Sequence, residues 1–403
     1  HVRCRRLPEA AGREELCRAI SEIANGALDP ARPLWETWFL EGYEGNKVVI
    51  VLKVSHALAD GGSFVGLFEH AMFAQPTEPE VAARIEQAIA EATPPMESRP
   101  GRLKLFCLGV GGLSRDIFVR LPRLLAATLR ACRLQHEARD HAPRPRFLEA
   151  PSHAFGGSLT PGRVFYFTTV PLALVRGIAR TCGVTINDVV LTVTAGALRN
   201  YLQERAALPD APLLASMSAS IRSPDERDAW GNRVTNRALR LPTHLADPLE
   251  RLRYAHREAD EVKRDVALHS GAQFVDWVEL APPFLVKAGS WLMRRVVGRM
   301  QPPGAVIVSN VRGPTSPLYT THGPVENLVS VGNVRVAPAI NITVWSYVEK
   351  LNFGLYTYDA FPDLTRVADH LDRAVAELAD AAQRVRSGAR CEEGVSSAPR
   401  ALP

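Results

Sequence analysis

The sequence predicts an α/β protein, and three stretches carry that prediction. Val48 to Val54 (VVIVLKV) is an almost unbroken apolar, β-branched run bounded by turn residues. It reads as a strand buried on both faces, and a helically spaced apolar segment (Phe64, Val65, Leu67, Phe68, Ala71, Met72) follows it after Ser63. Ala305 to Val311 (AVIVSNV) reads as a second buried strand. Ile340 to Ser346 alternates apolar and polar residues, Glu349-Lys350 turns the chain, and Leu351 to Tyr358 returns as a hairpin partner.

Taken in order, Glu14 to Asn25 has helical periodicity in Leu16, Ile20, Ile23 and Ala24. The loop Leu28 to Pro33 leads through Pro33-Leu34-Trp35 into a short strand at Trp38, Phe39 and Leu40. Glu44-Gly45-Asn46 then supplies a hairpin turn into the central strand. Gln75 to Gly101 is rich in Pro and Glu and predicts a loop with one short polar helix over Val81 to Ala92. From Arg115 to Arg133, 100° per residue gathers Arg115, Arg120, Arg123, Arg130 and Arg133 on one arc. Ile117, Phe118, Leu121, Leu124, Leu125 and Leu129 fall on the other, a basic amphipathic helix or two helices broken at Pro122. Such a helix suits either an anionic lipid surface or a crossover packed on the protein with solvated arginines.

His141 to Pro161 reads as a linker. Val164 to Val170 predicts a strand, and Leu172 to Cys182 a helix ended by Gly183. Ile186-Asn187-Asp188-Val189-Val190 opens another helix, with Asn187 as a suitable N-cap and Asp188 where the helix dipole favours negative charge. Leu213 to Ile221 and Val234 to Leu241 read as strands, Asp247 to Val266 as a charged, solvent-facing helix and Leu364 to Val385 as a closing amphipathic helix. Ser387 to Pro403 reads as a polar, disordered tail.

The composition is that of a globular protein with room for two domains: 403 residues, 46% hydrophobic and 23% charged. A net charge of +5 suits an anionic cofactor or an anionic membrane surface; no nucleic-acid motif accompanies the arginines. Six scattered cysteines without a C-x-x-C pair point to reduced, mostly structural thiols in a cytosolic setting. No signal peptide is visible, and no apolar run reaches the ~18 to 20 residues that span a bilayer.

The chemistry lies at the exit of the central strand, where His56 is followed by Asp60 and Gly61. A histidine, with an ordinary pKa of about 6.5, can accept a proton at neutral pH, and an aspartate nearby can orient it. The same residues also make a tight turn, with Asp60 or Ser63 capping the next helix. A metal site needs more ligands than His56 and Asp60 provide. There is no Gly-x-Ser-x-Gly elbow, and Ser55 faces away from His56 on an extended backbone, which argues against a Ser-His dyad.

His56-x-x-x-Asp60-Gly61, Pro33-Leu34-Trp35, Asn187-Asp188, Gly231-Asn232-Arg233 and Ser309-Asn310-x-x-Gly313-Pro314, in that chain order apart from the first two, resemble the signatures of the bacterial wax ester synthase/acyl-CoA:diacylglycerol acyltransferase family, a branch of the CoA-dependent acyltransferase superfamily. The family doubles the histidine, whereas Ser55 stands in the first position here. The resemblance implies two chloramphenicol-acetyltransferase-like halves, each a mixed sheet with flanking helices, around a central tunnel. The corresponding division is 1–98, with the family's opening segment expected to be absent, then a basic crossover at 99–150, a second half at 151–386 and a tail at 387–403. It also implies His56 as general base, Asp60 as a brace for the loop, and Trp35 as support for it. Gly61, Asn187, Asp188 and Asn341 become candidate substrate-binding residues, and Arg222 a candidate partner of Asp60. Asn341 and Thr343 would face the acyl carbonyl. Acyl-CoA would be a co-substrate, with no permanently bound cofactor, and the acceptor would be diacylglycerol or a long-chain alcohol. The expected location is cytoplasmic, peripheral to membrane or lipid bodies. A carrier-dependent condensation domain, a short-chain acyltransferase and a catalytically weak lipid-binding protein are the competing readings.

Overall fold

In a computed structural model, the described residues are 1–76, 78–92, 100–137, 155, 160–220, 231–268, 277, 280–297, 306–334, 340–361 and 363–396. They form a mixed α/β structure with two sheets that face a common cavity. The smaller sheet has the order β1 (Val2–Ala11), β2 (Trp35–Tyr43), β3 (Lys47–Val54), with β1 parallel and β3 antiparallel to β2. Helix α1 (Arg13–Asn25) packs Leu16, Ile20 and Ile23 against Leu7, Leu40 and the inward side chains Val49 and Val51. The β2–β3 turn falls where the sequence places it: Glu44 (φ 45) and Gly45 (φ 92) both take left-handed backbone.

The larger sheet has six strands in the order β4 (Arg163–Pro171), β11 (Lys350–Tyr358), β10 (Ile340–Tyr347), β7 (Val306–Val311), β5 (Leu213–Ser220), β6 (Val234–Leu241). The central pairs β10–β7 and β7–β5 are parallel, and the outer pairs are antiparallel. A two-stranded ribbon, β8 (Tyr319–Thr320) and β9 (Gly323–Pro324), lies outside it. Helices α6 (Leu172–Cys182), α7 (Ile186–Glu204), α8 (Pro248–Leu268) and α10 (Leu364–Ser396) share the main core on one face of this sheet. Ile340, Ile342 and Val344 point into that core, so the alternating Asn341 and Thr343 point to the cavity, as the pattern predicts.

The two sheets are joined through α1. Phe165 and Phe167 of β4 and Tyr356 and Tyr358 of β11 complete the α1 core. Ser21 accepts the backbone N–H of Phe165 at 2.9 Å, and Asn25 donates to the carbonyl of Arg163 at 3.0 Å. Polar groups on the edge of β4 are thus satisfied by a helix rather than by another strand.

Several expectations are corrected. β3 is not buried on both faces: among the described residues it is an edge strand paired with β2 alone, and Val48 and Ile50, which line the cavity, are 53% and 46% exposed. β2 runs the full span Trp35–Tyr43 rather than three residues, because it pairs on both sides. Of the two readings of the basic segment, the unbroken helix is the one found, within one longer run of α4 (Arg102–Arg115), a π turn at Asp116–Arg120 and α5 (Leu121–Glu137). Pro122 brings no amide hydrogen, and the helix accommodates it by widening one turn just upstream instead of breaking. Helix α8 is not wholly solvent-facing: Leu252, Ala255, Ala259 and Val262 are buried. Helix α10 continues to Ser396, past the start of the expected tail, since no proline interrupts it before Pro399. Arg222, residues 141–154 and 156–159 of the linker and residues 397–403 lie outside the described residues.

Candidate active site

Strand β3 delivers His56 to the cavity. The backbone N–H of Ser55 donates to the Leu34 carbonyl at 2.9 Å, and Trp35 pairs with Val54, so the Pro33-Leu34-Trp35 segment fixes the strand exit through its backbone. The Trp35 ring itself turns outward onto the ring of His1, 4.9 Å away. Helix α2 (Gly61–Ala71) then begins, with Asp60 as its N-cap.

Asp60 is 2% exposed, and both carboxylate oxygens are engaged. Oδ1 accepts the Ser63 amide at 3.0 Å and the Ser63 hydroxyl at 3.3 Å, and Oδ2 accepts the Arg233 amide at 2.9 Å. The Asp60 amide donates to the Gly231 carbonyl at 3.3 Å, and the Ser63 hydroxyl reaches the same oxygen at 3.2 Å. The cap reading of Asp60 and the brace reading are therefore one arrangement. A carboxylate held by backbone amides ties the His56 loop to residues 231–233, at the start of β6 in the larger sheet.

The His56 ring is exposed to the cavity, and its Nδ1 lies 3.0 Å from Nδ2 of Asn232. The hydrogen-bonding partner of the ring is thus Asn232, not Asp60. Sequence reasoning singled out Gly231-Asn232-Arg233 but gave Asn232 no role, because nothing local links residues 176 positions apart.

Gly61 faces the end of β7: a Cβ there would lie 2.7 Å from Cγ2 of Val311. The bare backbone lets the α2 N-terminus sit against that strand. Gly313, in the turn after β7, has a backbone reason of its own, since a Cβ would approach the Ser346 carbonyl oxygen to 2.1 Å.

The cavity has a volume of about 3050 Å³ and is walled by β2, β3 and α2 on one side and by β4, β5, β7, β10 and residues 325–333 on the other. Typical small-ligand sites are ~300–1,000 Å³, so two long substrates can meet here. Phe39, Ile50, Leu67 and Phe68 give it apolar wall, and Ser216, Ser309, Asn310 and Asn341 give polar groups. Among the described residues there is no group of three or more His, Cys, Asp or Glu side chains able to hold a metal ion.

His56, Asp60, Gly61 and Asn341 all line this cavity. The Asn341 amide donates to the Asn333 carbonyl at 2.9 Å and its oxygen accepts from Thr343 at 2.7 Å; Gly332 packs so close that a Cβ would overlap the Asn341 amide. Asn187 and Asp188 are placed differently. Thr185, not Asn187, caps α7, because its hydroxyl takes the Asp188 amide while Asp188 Oδ2 takes the Thr185 amide at 2.9 Å. Asp188 is fully buried, its Oδ2 2.8 Å from Nδ1 of His256 on α8, and it does not reach the cavity. Asn187 stands behind the wall, its oxygen 3.5 Å from the amide of Asn310.

The catalytic-domain model of the wax ester synthase/diacylglycerol acyltransferases matches residues 1–190, and the C-terminal-domain model of the same group matches residues 230–379. The chain belongs to this acyltransferase family. One Mycobacterium tuberculosis relative, named "putative diacylglycerol O-acyltransferase", is 34% identical over 360 residues, 87% of this chain and 74% of the relative. A second of the same name and organism is 32% identical over 385 residues, 94% of this chain and 74% of the relative. The solved wax ester synthase/diacylglycerol acyltransferase from Marinobacter aquaeolei VT8 superposes with a TM-score of 0.62 at 24% identity, over 95% of this chain and 80% of that one. This last likeness fixes the two-sheet acyltransferase fold. The family's matched catalytic part holds His56 and Asp60, and its C-terminal part holds the 231–233 clamp, Asn310 and Asn341.

Proposed function

We propose that the protein moves a long-chain fatty acyl group from acyl-CoA to the hydroxyl of diacylglycerol or a long-chain alcohol, with His56 as general base. The observation that carries this reading is the position of the His56 imidazole, at the exit of β3, on the wall of a cavity large enough for both substrates, between two sheets of an acyltransferase fold. His56 takes the hydroxyl proton as that oxygen attacks the thioester carbonyl. The tetrahedral intermediate collapses, the acyl–oxygen ester forms, and the CoA thiolate leaves, taking up the proton from the imidazolium. A base placed this way is worth roughly 10²- to 10⁴-fold in rate. Asp60, spent on the Ser63 and Arg233 amides, holds the loop and does not touch the reacting atoms.

The test is release of free CoA from radiolabelled palmitoyl-CoA, with diacylglycerol and hexadecanol offered in parallel. His56→Ala should lose at least a hundredfold in turnover with unchanged thermal stability, the ring being exposed. Equal turnover by the two proteins would remove His56 as the base, and no CoA release by either would turn the assignment over to a lipid-binding role.

The same reading includes a lipid surface as the source of the acceptor. The helical run of α4, the π turn and α5 exposes Phe106, Phe118 and Leu129 by 68%, 77% and 63%, and α9 (Pro283–Val297) exposes Phe284 by 68% beside Lys287 and Arg295. Trp277, upstream of α9, donates to Thr128 of α5 at 3.1 Å. Apolar side chains interleaved with arginines suit an anionic interface. No single described helix is long and apolar enough to cross a membrane. Flotation with vesicles containing anionic lipid should carry the protein up, and Phe106→Asp with Phe284→Asp should leave it at the bottom of the gradient.

A further inference from the structure

We propose that Asn232 is the positioning residue of His56, a neutral side chain supplied by the C-terminal part of the chain that sets which imidazole nitrogen carries the proton. The inference rests on His56 being the base, and the experiment below separates the failure of one from the failure of the other.

The place beside Nδ1 that an orienting carboxylate would occupy is taken by an amide. Asp60, four residues along, is turned to the Ser63 and Arg233 amides, while Nδ1 of His56 meets the Asn232 side chain at 3.0 Å. That side chain is not placed by chance packing. Its neighbours Gly231 and Arg233 are both hydrogen-bonded to Asp60, one through its carbonyl and one through its amide, and Ala59 and Gly231 form a parallel bridge. The clamp that fixes the loop therefore also fixes the distance from Asn232 to the ring. Of the titratable side chains around the ring, Lys47 and Lys53 of β3, His70 of α2 and Arg312 after β7 line the same cavity, as do His322 and Glu326; Arg233 adjoins Asn232, and Asp60 lies beneath.

An imidazole acts as a base through Nε2 only while Nδ1 holds a proton, and that proton needs an acceptor. The amide nitrogen, which faces Nδ1, donates to its lone pair and favours the tautomer protonated at Nε2. Half a turn about the last side-chain bond puts the amide oxygen in the same place, where it accepts from Nδ1–H and leaves the Nε2 lone pair for the acceptor hydroxyl. The oxygen also suits the imidazolium formed once the proton has moved. An amide serves each form of the ring without adding charge, where a carboxylate would hold the ring in its cationic form more firmly.

The test uses the full chain with palmitoyl-CoA and diacylglycerol, and compares the wild type, His56→Ala, Asn232→Ala and Asn232→Asp, with pH profiles of kcat and kcat/KM. Asn232→Ala should lower kcat about 10- to 100-fold, with KM for acyl-CoA changed less than about twofold. Asn232→Asp should recover most of that loss and move the acid limb of the profile upward by about half a pH unit or more, because a carboxylate at Nδ1 stabilises the imidazolium. A profile and kcat for Asn232→Ala matching the wild type while His56→Ala is inactive would overturn this role and leave the base in place. An Asn232→Asp variant as slow as Asn232→Ala, or with an unmoved acid limb, would overturn it too. An active His56→Ala would overturn both. Asn232 is exposed, so these variants should fold; Asn232→Ser, read against thermal midpoints, replaces the alanine variant should that one fail to fold.

Discussion

The Asp60 carboxylate accepts the backbone N–H of Arg233 at 2.9 Å, linking a helix cap in the smaller half of the molecule to the first residues of an edge strand in the larger. One side chain thus does two jobs that are usually separate: it starts α2 and it sets how the loop carrying His56 meets the opposite wall.

Removal of that carboxylate should cost stability before it costs chemistry. Asp60→Ala loses an N-cap, worth about 1 kcal/mol, and a charge-assisted bond to a half-buried amide, worth about 1.5–3 kcal/mol. Asp60→Asn keeps one acceptor oxygen and should retain roughly half of this. Thermal unfolding should rank wild type above Asn above Ala. If Asp60→Ala melted with the wild type but lost activity, Asp60 would belong to the reacting groups.

Gly61 makes a sharper case, because its cost has one identifiable source. Gly61→Ala places a methyl 2.7 Å from Val311 Cγ2, and overpacking of this kind typically costs about 1–3 kcal/mol. Val311→Ala removes the obstructing carbon. The double variant should therefore be more stable than Gly61→Ala alone, a coupling that a double-mutant cycle reads directly. Gly313→Ala should be worse than either, since it meets the Ser346 backbone carbonyl, which no side-chain truncation can clear.

Asp188 separates position in sequence from position in space. Its carboxylate closes the Thr185 capping box and meets His256, so Asp188→Ala should lower the melting temperature by several degrees. Turnover per folded molecule should stay within about twofold of the wild type. A raised KM with an unchanged melting temperature would return Asp188 to the substrate site.

How far the sequence discloses all this follows from the range of the interactions. The strand at Val48 to Val54, the turn at Glu44-Gly45 and the alternation that aims Asn341 and Thr343 at the cavity are consequences of local periodicity, and they are found as expected. Two-sided burial of β3 is the natural reading of seven residues of which six are apolar. A long apolar cavity wall has the same composition as a buried strand, so composition cannot tell the two apart. Asn187 looked like a cap because the true cap, Thr185, lies two residues earlier and is confirmed only by its partner's geometry. Asn232 was beyond reach for another reason: its contact with His56 depends on how β6 is placed in the larger sheet, and no local pattern encodes that placement.

Cysteine chemistry offers a test of the packing around α1 that is independent of activity. Cys17 lies at 3% exposure in the core formed by α1 and the smaller sheet, and burial pushes its thiol up to about 12. Cys4, Cys107 and Cys132 are exposed. Since only the thiolate is nucleophilic, a raised value depletes the reactive form throughout the neutral and mildly alkaline range, and burial blocks access as well. Cys4 should be alkylated in native protein, whereas Cys17 should stay unlabelled in native protein from pH 7 to 9 and react once denaturant is added. Peptide mass mapping after timed iodoacetamide pulses reads each site separately. Labelling of Cys17 at the pace of Cys4 in native protein would mean that α1 does not hold the two sheets together as described, and the wall that carries His56 would lose its support.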